Sequence, residues 1–470
     1  MAKSVGKEKS QAEQLKEALL RKTKNSGLVM SEEQIAQGEA FCEDYKTFLD
    51  DAKTEREAVK TVVAVLEKEG FRPFDPAKAY TAGDRVYQNN RGKALIFAVM
   101  GTKALSDGVN IMASHIDSPR LDLKPSPLYE ESQLALLKTH YYGGIRKYQW
   151  TAIPLALHGA VVRKDGSVIE VAIGEDPADP IFCINDLLPH LAKDQNQRKL
   201  FEGIRGEELN VLVGSLPFRD DKISEGVKLN IMRLLNEKYG MIEDDFLSAE
   251  LTMVPAAKAR DIGFDRSMIG AYGHDDRVCA YTSLVAALDN LQPETTWINI
   301  MADKEETGSN GNTGLDSRFL EYFVADLAKP HGIEGRTVLA RSRCLSADVN
   351  AAFDPTFPDV LERRNAAFLN YGVCITKYTG SGGKSSTNDA SAEFMGEIRR
   401  MLDEANVVWQ TGELGKVDHG GGGTVAKFVS RLGADVVDLG VPVLSMHAPM
   451  EVVGKMDVYN AYLGFKAFLG

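Results

Sequence analysis

The 470-residue chain has few cysteines, no long apolar run and no excess of basic residues. Its five cysteines are odd in number and scattered, which favours reduced, mostly buried thiols over a disulfide framework or a cysteine-ligated metal. No apolar run approaches the roughly 18 residues that a transmembrane helix needs. The first 25 residues are charged throughout and lack the apolar core of a signal peptide. These absences predict a cytoplasmic protein without a membrane partner.

The charge balance limits the classes of partner that the protein can have, and the length limits its number of domains. Sixty-seven acidic residues against 55 basic ones give a formal net charge of −12, which argues against nucleic acid as the main partner and tolerates bound cations. Apolar residues make up 44% of the chain and charged residues 26%, an ordinary balance for a globular protein. The length allows for roughly two or three domains.

The N-terminal part of the chain predicts helices that pack on a larger body. Residues 8–24 and 31–69 have helical character, and Ser31 followed by Gln34 resembles a capping box. Residues 89–92, Asn-Asn-Arg-Gly, lie between two apolar runs and predict a β-hairpin. We expect these elements to pack against the rest of the protein and not to carry catalytic residues.

The composition and the residue pattern of the sequence change at about residues 121 and 263. Between these points, prolines and short alternating runs predict a β-rich inserted domain of residues 121–263, with one helical patch over 185–202. After residue 263 buried strands alternate with helices, which predicts an α/β domain with a mostly parallel sheet and helices on both faces. We therefore expect a three-layer α/β/α catalytic domain, made of residues 1–120 and 264–470 and interrupted by the smaller domain. The predicted elements include strands over 296–301, 337–345, 407–410 and 436–439 and helices over 278–291, 317–328, 389–405, 424–432 and 452–468.

Two adjacent carboxylates, Glu305 and Glu306, follow the predicted strand 296–301. Adjacent side chains at a strand end point to opposite sides, so one carboxylate can bind a cation while the other acts as a base. An acidic loop in water would show the same pattern. Whether these carboxylates form a site or an acidic loop depends on which other metal-binding or catalytic side chains the rest of the chain supplies.

Other segments at strand ends supply such partners, namely His115, Asp275, Asp348 and His447. In open α/β sheets, sites gather at the carboxyl ends of the strands, so we expect these side chains to meet. Imidazole and carboxylate together suit Zn²⁺ or a similar divalent ion. Five ligands and a leftover carboxylate suggest two ions that share a bridging aspartate. Asp117 would accept the second ring N–H of His115 and so orient it.

Several motifs in this order resemble the aspartyl aminopeptidase/aminopeptidase I family of zinc peptidases. They are Ala113-Ser114-His115-Ile116-Asp117-Ser118-Pro119-Arg120-Leu121, Asp275-Asp276-Arg277, Glu305-Glu306-Thr307-Gly308-Ser309, Ser346-Ala347-Asp348 and Ser445-Met446-His447. The resemblance covers nearly the whole chain, including the β-rich insertion. It implies a peptidase that removes N-terminal residues from peptides and assembles as a homo-oligomer, a tetrahedral dodecamer with its sites inside.

The resemblance also implies roles for single residues. One zinc ion would take His115, Asp275 and Asp348, and a second would take Asp275, Glu306 and His447, with Asp275 bridging and followed by a cis peptide bond. Bound divalent ions lower the pKa of a water molecule, and Glu305 would accept its proton as the general base, with Asp117 as a further catalytic residue. Co²⁺ or Mn²⁺ would suit the same ligands.

Substrate-binding roles follow for His190, which would reach a neighbouring subunit's site, and for Lys377. The spacing from Asp348 to Lys377 is one residue longer than in the family, so the preference for acidic or neutral N-terminal residues stays open. His274 is expected to cap a loop, and the glycines at 420–423 either approach an anion or form a flexible turn. Two alternatives remain: a di-zinc amidohydrolase or deacylase, and a catalytically inactive assembly protein with the same fold.

Overall fold

The computed structural model describes residues 9–470, so the first residue of the predicted helix 8–24 lies outside the described part. The α-helices are α1 (Gln11–Leu19), α2 (Glu32–Asp51), α3 (Glu55–Lys68), α4 (Gly226–Tyr239), α5 (His274–Leu288), α6 (Phe319–Ala328), α7 (Gly335–Leu339), α8 (Ala392–Glu404), α9 (Ala426–Ser430) and α10 (Lys455–Leu469). Among residues 9–470, no helix is long and apolar enough to cross a lipid bilayer.

The strands form three sheets. They are β1 (Arg72–Pro73), β2 (Arg85–Asn90), β3 (Ala94–Val99), β4 (Asn110–His115), β5 (Arg120–Glu131), β6 (Leu134–Tyr142), β7 (Leu155–Val162), β8 (Val168–Ile173), β9 (Cys183–Ile184), β10 (Asn210–Gly214), β11 (Ala249–Pro255), β12 (Arg260–Ile262), β13 (Met268–Ala271), β14 (Trp297–Ala302), β15 (Arg343–Ser346), β16 (Asn350–Ala351), β17 (Val373–Thr376), β18 (Trp409–Thr411), β19 (Asp435–Gly440), β20 (Pro442–Leu444) and β21 (Glu451–Gly454).

The predicted helix 31–69 is two helices, because the first helix ends at Asp51 and a second one begins after Thr54, its N-cap residue. The Thr54 side chain accepts a hydrogen bond from the backbone N–H of Glu57, whose own side chain accepts from the backbone N–H of Thr54. Ser31 and Gln34 form the same reciprocal pair at the start of α2. Each capping box satisfies backbone donors that the first helical turn leaves free.

The largest sheet has nine strands in the order β1-β2-β3-β14-β4-β15-β19-β17-β18. Its centre is parallel: β14, β4, β15 and β19 run in the same direction. Successive residues of these strands face opposite sides and are buried on both, since Met112 packs with α5 and α10 while Ile111 packs with α6 and α9. A sheet covered on both faces requires continuous apolar strands, and β4 and β14 are buried at every position.

A seven-stranded sheet takes its strands from residues 120–255, in the order β8-β7-β11-β5-β6-β10-β9. The predicted helical patch over 185–202 is wrong: this stretch contains only short 3₁₀ turns, and the helix that packs on the sheet is α4. The long hairpin of β5 and β6 has no simple alternating pattern. Its register shifts between Leu123 and Leu128, where two prolines interrupt the strand.

A five-stranded sheet, β12-β13-β21-β20-β16, was not predicted. Two predicted elements differ in type over part of their length from the observed ones. The strand expected over 337–345 begins as helix α7 and becomes β15 only at Arg343, and the helix expected over 452–468 begins as strand β21. The short sheet is important for the site because β13 leads into α5 and β20 leads to His447.

Candidate active site

Four strands and one helix deliver side chains to one place. His115 is the last residue of β4, Glu305 and Glu306 form a turn after β14, and Asp348 follows β15. Two further residues, Asp275 at the start of α5 and His447 after β20, complete the cluster. Possible ligand atoms of His115, Asp275 and Asp348 lie within 4.8 Å of one another, and so do those of Asp275, Glu306 and His447. A third overlapping group is His115, Glu305 and Glu306.

The first group is deeply buried. The Nε2 atom of His115 lies 3.1 Å from Oδ1 of Asp275 and 3.9 Å from Oδ1 of Asp348. All three side chains are nearly inaccessible to solvent. One imidazole nitrogen and two carboxylate oxygens therefore lie close enough together to bind one ion.

The second group shares Asp275 with the first. The Nε2 atom of His447 lies 3.2 Å from Oδ2 of Asp275 and 3.5 Å from Oε2 of Glu306. Asp275 thus turns one carboxylate oxygen towards each histidine. The Asp275–Asp276 peptide bond is cis.

The charges of the cluster favour a bound cation. Burial, together with the charge of Asp275, raises the pKa of Glu306 well above its usual value, and burial with the charge of Asp276 does the same for Asp348. Burial would lower the pKa of His447, but the hydrogen bond with Asp275 and the charge of Glu306 raise it to about 10. Glu306 Oε1 is buried without a hydrogen-bond partner. Nitrogen and oxygen donors with excess negative charge fit divalent ions such as Zn²⁺.

Asp117 organises the space between the two groups. Its backbone oxygen lies 3.1 Å from Nδ1 of His115, and its Oδ1 lies 3.3 Å from the same nitrogen. The carboxylate also accepts the backbone N–H groups of Glu305 at 3.1 Å and Glu306 at 3.2 Å. Burial would raise the pKa of Asp117, but hydrogen bonds from His115 and Tyr142 hold it below its usual value. One ionised carboxylate thus orients a histidine and two glutamates.

Glu305 lies beside the first group, with Oε2 4.0 Å from Nε2 of His115. Its side chain is about four-fifths buried, and burial together with the charge of Asp117 raises its pKa to about 7. The neighbouring histidines oppose this shift. A carboxylate held in this way near a cluster of ligands can exchange a proton near neutral pH.

Sequence reasoning missed three residues around the cluster. Tyr142 hydrogen-bonds Asp117, the backbone oxygen of Gly144 lies 3.0 Å from Nδ1 of His447, and Glu451 accepts backbone N–H groups of Asp275 and His447. Tyr142 is the last residue of β6 and Gly144 lies just after it, and the order of residues along the chain gives no sign that they lie beside the cluster. Glu451 lies four residues after His447, and that spacing was the one available signal.

The remaining predicted residues lie in other surroundings. His190 is exposed in a 3₁₀ turn over 189–191, and Lys377, 42% exposed, pairs with Asp389. His274 is buried, 2.7 Å from the Tyr45 hydroxyl and 3.1 Å from the backbone oxygen of Ile269, so it anchors the start of α5. The structure therefore does not bring His190 and Lys377 into the ligand groups described above.

Comparisons with known proteins identify the family of this chain. The family described as aminopeptidase I zinc metalloprotease (M18) matches residues 48–469. A relative from Clostridium acetobutylicum, named probable M18 family aminopeptidase 1, is 50% identical over 459 residues, which cover 96% of this chain and 99% of the relative. The crystal structure of aminopeptidase I from Clostridium acetobutylicum has a TM-score of 0.91 at 47% identity, and covers 96% of this chain and 100% of that one.

A more distant likeness concerns the fold alone. The structure of the S. cerevisiae mApe1 dodecamer has a TM-score of 0.74 at 20% identity and covers 91% of this chain and 95% of that one. The predicted α/β fold class and the resemblance to the aminopeptidase I family are confirmed. The chain belongs to the aminopeptidase I family of zinc metalloproteases (M18).

Proposed function

We propose that the chain is a two-metal aminopeptidase that hydrolyses the N-terminal residue of peptides, with Glu305 as the general base. The observation that carries the proposal is the position of Asp275, whose two carboxylate oxygens face His115 and His447 separately. One ion would be held by His115, Asp275 and Asp348, and the other by Asp275, Glu306 and His447. Zn²⁺ is the expected metal, and Co²⁺ or Mn²⁺ suits the same donors.

When bound, the ions would supply Lewis-acid polarisation of the scissile carbonyl and favour ionisation of water. The chain's own residues handle the proton. Glu305 takes a proton from the attacking water and returns it to the departing amine. Asp117 keeps Glu305 and Glu306 at fixed positions through their backbone N–H groups, so the base needs no reorganisation before it acts.

We assign substrate contacts to Lys377 within the chain and to His190 across a subunit interface. Exposed apolar side chains precede and follow His190 in the sequence, which supports burial of this segment against another subunit. These side chains are Leu187, Leu188, Leu191, Leu200 and Phe201.

Assembly and location complete the proposal. The dodecamer known for mApe1 supports a tetrahedral dodecamer here, with residues 121–263 as the inserted domain that contributes to association. The five cysteines are free thiols, four of them buried, which supports a reducing, cytoplasmic environment. Sedimentation velocity at micromolar concentration tests the assembly, and a monomer would contradict it.

A substrate panel tests the activity. Metal is removed from the protein with a chelator, and the protein is then reloaded with Zn²⁺, Co²⁺ or Mn²⁺. Each sample is assayed on aminoacyl-amides with acidic and neutral residues, and on the same compounds with an acetylated amine. Hydrolysis of the free-amine compounds alone is expected. Removal of the acetyl group would favour a deacylase, and inactivity with every ion and substrate would favour an assembly protein without catalysis.

A further inference from the structure

Glu451 lies where the two strands that deliver the second ligand group meet. It is the first residue of β21, which pairs with β13 on one side and with β20 on the other. Strand β13 places Ala271 opposite Glu451 and leads into α5, which begins with the segment that carries Asp275. Strand β20 leads directly to His447. The side chain of Glu451 is 1% exposed.

Each oxygen of the Glu451 carboxylate serves one ligand residue. Oε2 accepts the backbone N–H of Asp275 at 3.0 Å, and Oε1 accepts the backbone N–H of His447 at 2.6 Å. These two residues are 172 positions apart in sequence numbering, 275 and 447, so no local structure relates them. Glu451 provides the direct connection between their backbones.

The backbone at His447 is one that L-residues rarely adopt. His447 has φ of 66° and Ser445 has φ of 55°, both in the left-handed region. Such conformations persist when surrounding contacts hold them. The N–H of His447 points into the Glu451 carboxylate, and its ring nitrogen Nδ1 lies 3.0 Å from the backbone oxygen of Gly144, so the residue is held at both ends.

We propose that Glu451 is a positioning residue that prearranges Asp275 and His447 for the second metal ion, before any ion binds. The inference rests on the proposed two-ion function. The hydrogen bonds of Glu451 to these two ligand residues are made with their backbone N–H groups, so it acts on their backbones. Outer partners of this kind commonly change metal affinity by about 10- to 100-fold.

The variant Glu451→Gln tests the proposal, because an amide keeps the size of the side chain but offers one acceptor oxygen instead of two. Asp457→Asn is a matched control. Asp457 is also fully buried and accepts two backbone N–H groups, from Asn370 at 2.5 Å and Gly372 at 2.7 Å, but neither of these residues is in a ligand group.

Zinc affinity is measured by titrating metal-free protein in competition with a chelating dye. Wild type is expected to bind two ions, and Glu451→Gln to bind one of them about 10- to 100-fold more weakly. Asp457→Asn should keep both affinities even if it unfolds at a lower temperature. Unchanged affinities in Glu451→Gln, or equal losses in both variants, would overturn the proposal.

Hydrogen exchange on the metal-free wild-type protein provides a test that does not need the variant to fold. The amides of Asp275 and His447 should already be protected without zinc, because Glu451 accepts both. Protection that appears only after zinc is added would refute the prearrangement. A wild-type stoichiometry of one ion would count against the two-ion function instead, and the exchange result would still decide the role of Glu451.

Discussion

The hydroxyl of Tyr142 donates a hydrogen bond of 2.7 Å to Oδ2 of Asp117. Tyr142 ends strand β6 of the seven-stranded sheet, whereas Asp117 follows β4 of the nine-stranded sheet. The same carboxylate accepts the N–H groups of Glu305 and Glu306. A side chain from the seven-stranded sheet therefore helps to fix the residue that aligns the proposed base and a proposed ligand.

Tyr142→Phe should lower kcat by about tenfold and change KM little, because it removes one of the donors that hold Asp117 while leaving the ring in place. The measurement is steady-state hydrolysis of an aminoacyl-amide by zinc-loaded protein. Tyr141→Phe is the matched control, since the neighbouring ring is 38% exposed. Equal losses in both variants would mean that Asp117 does not depend on this bond.

Glu305→Gln and Glu306→Gln should separate the two neighbouring carboxylates by role. We expect Glu305→Gln to retain about two zinc ions per chain and to lose at least about 100-fold in kcat, because the amide cannot accept a proton. Glu306→Gln should lose zinc from the second group. Elemental analysis and turnover are measured on the same samples. Retained activity in Glu305→Gln would contradict its assignment as the base.

Asp275→Ala and His447→Ala should differ in how much metal they lose. Asp275 faces both histidines, so its removal is expected to empty both groups, whereas loss of His447 should remove one ion and leave the group of His115 and Asp348. His419→Ala, in an exposed glycine-rich loop, is the control and should keep both ions. Equal zinc contents for Asp275→Ala and His447→Ala would argue against a shared aspartate.

Stability should fall at alkaline pH because of His158. Burial would lower the pKa of this histidine, but hydrogen bonds with Glu175 and Glu57 raise it from 6.5 to about 9. Its two nitrogens lie 2.7 Å from Glu57 and 3.0 Å from Glu175, and Lys53 also pairs with Glu175. Because the folded protein binds this proton more tightly than the unfolded chain, the contribution is complete below pH 6.5 and disappears as the pH rises through 9.

The test compares thermal midpoints at pH 6 and pH 9.5 for wild type and His158→Gln. The drop between these pH values should be larger in wild type, because glutamine carries no titrating proton. His140→Gln, at an exposed position, should behave like wild type. A drop of the same size in His158→Gln would show that other groups cause the alkaline loss.

The parts of the fold and site that the sequence predicts are those governed by buried strands. Strands β4 and β14 are buried at every position, so their ends, and with them His115, Glu305 and Glu306, could be located in the chain. Parallel strands then indicate that such ends share one edge. The roles assigned to these residues stay predictions until the variants are measured.

The parts that could not be predicted depend on contacts between distant segments. The β5–β6 hairpin contains a bulge with two prolines, and short turns over 185–202 imitate a helical composition. Tyr142 and Glu451 bind backbone or carboxylate groups that are far away in the chain, and no local pattern reports such a partner. The proposed ligands could therefore be inferred from the sequence more readily than the residues that contact them.

The order of the proposed ligands along the chain has a consequence for how the protein is made. On a ribosome, the group of His115, Asp275 and Asp348 cannot be assembled until Asp348 has emerged, and the second group must wait for His447. Every earlier nascent chain lacks at least one of the two proposed ligand groups. The proposed activity therefore cannot begin in a nascent chain before His447 has been added and has folded against Asp275 and Glu306.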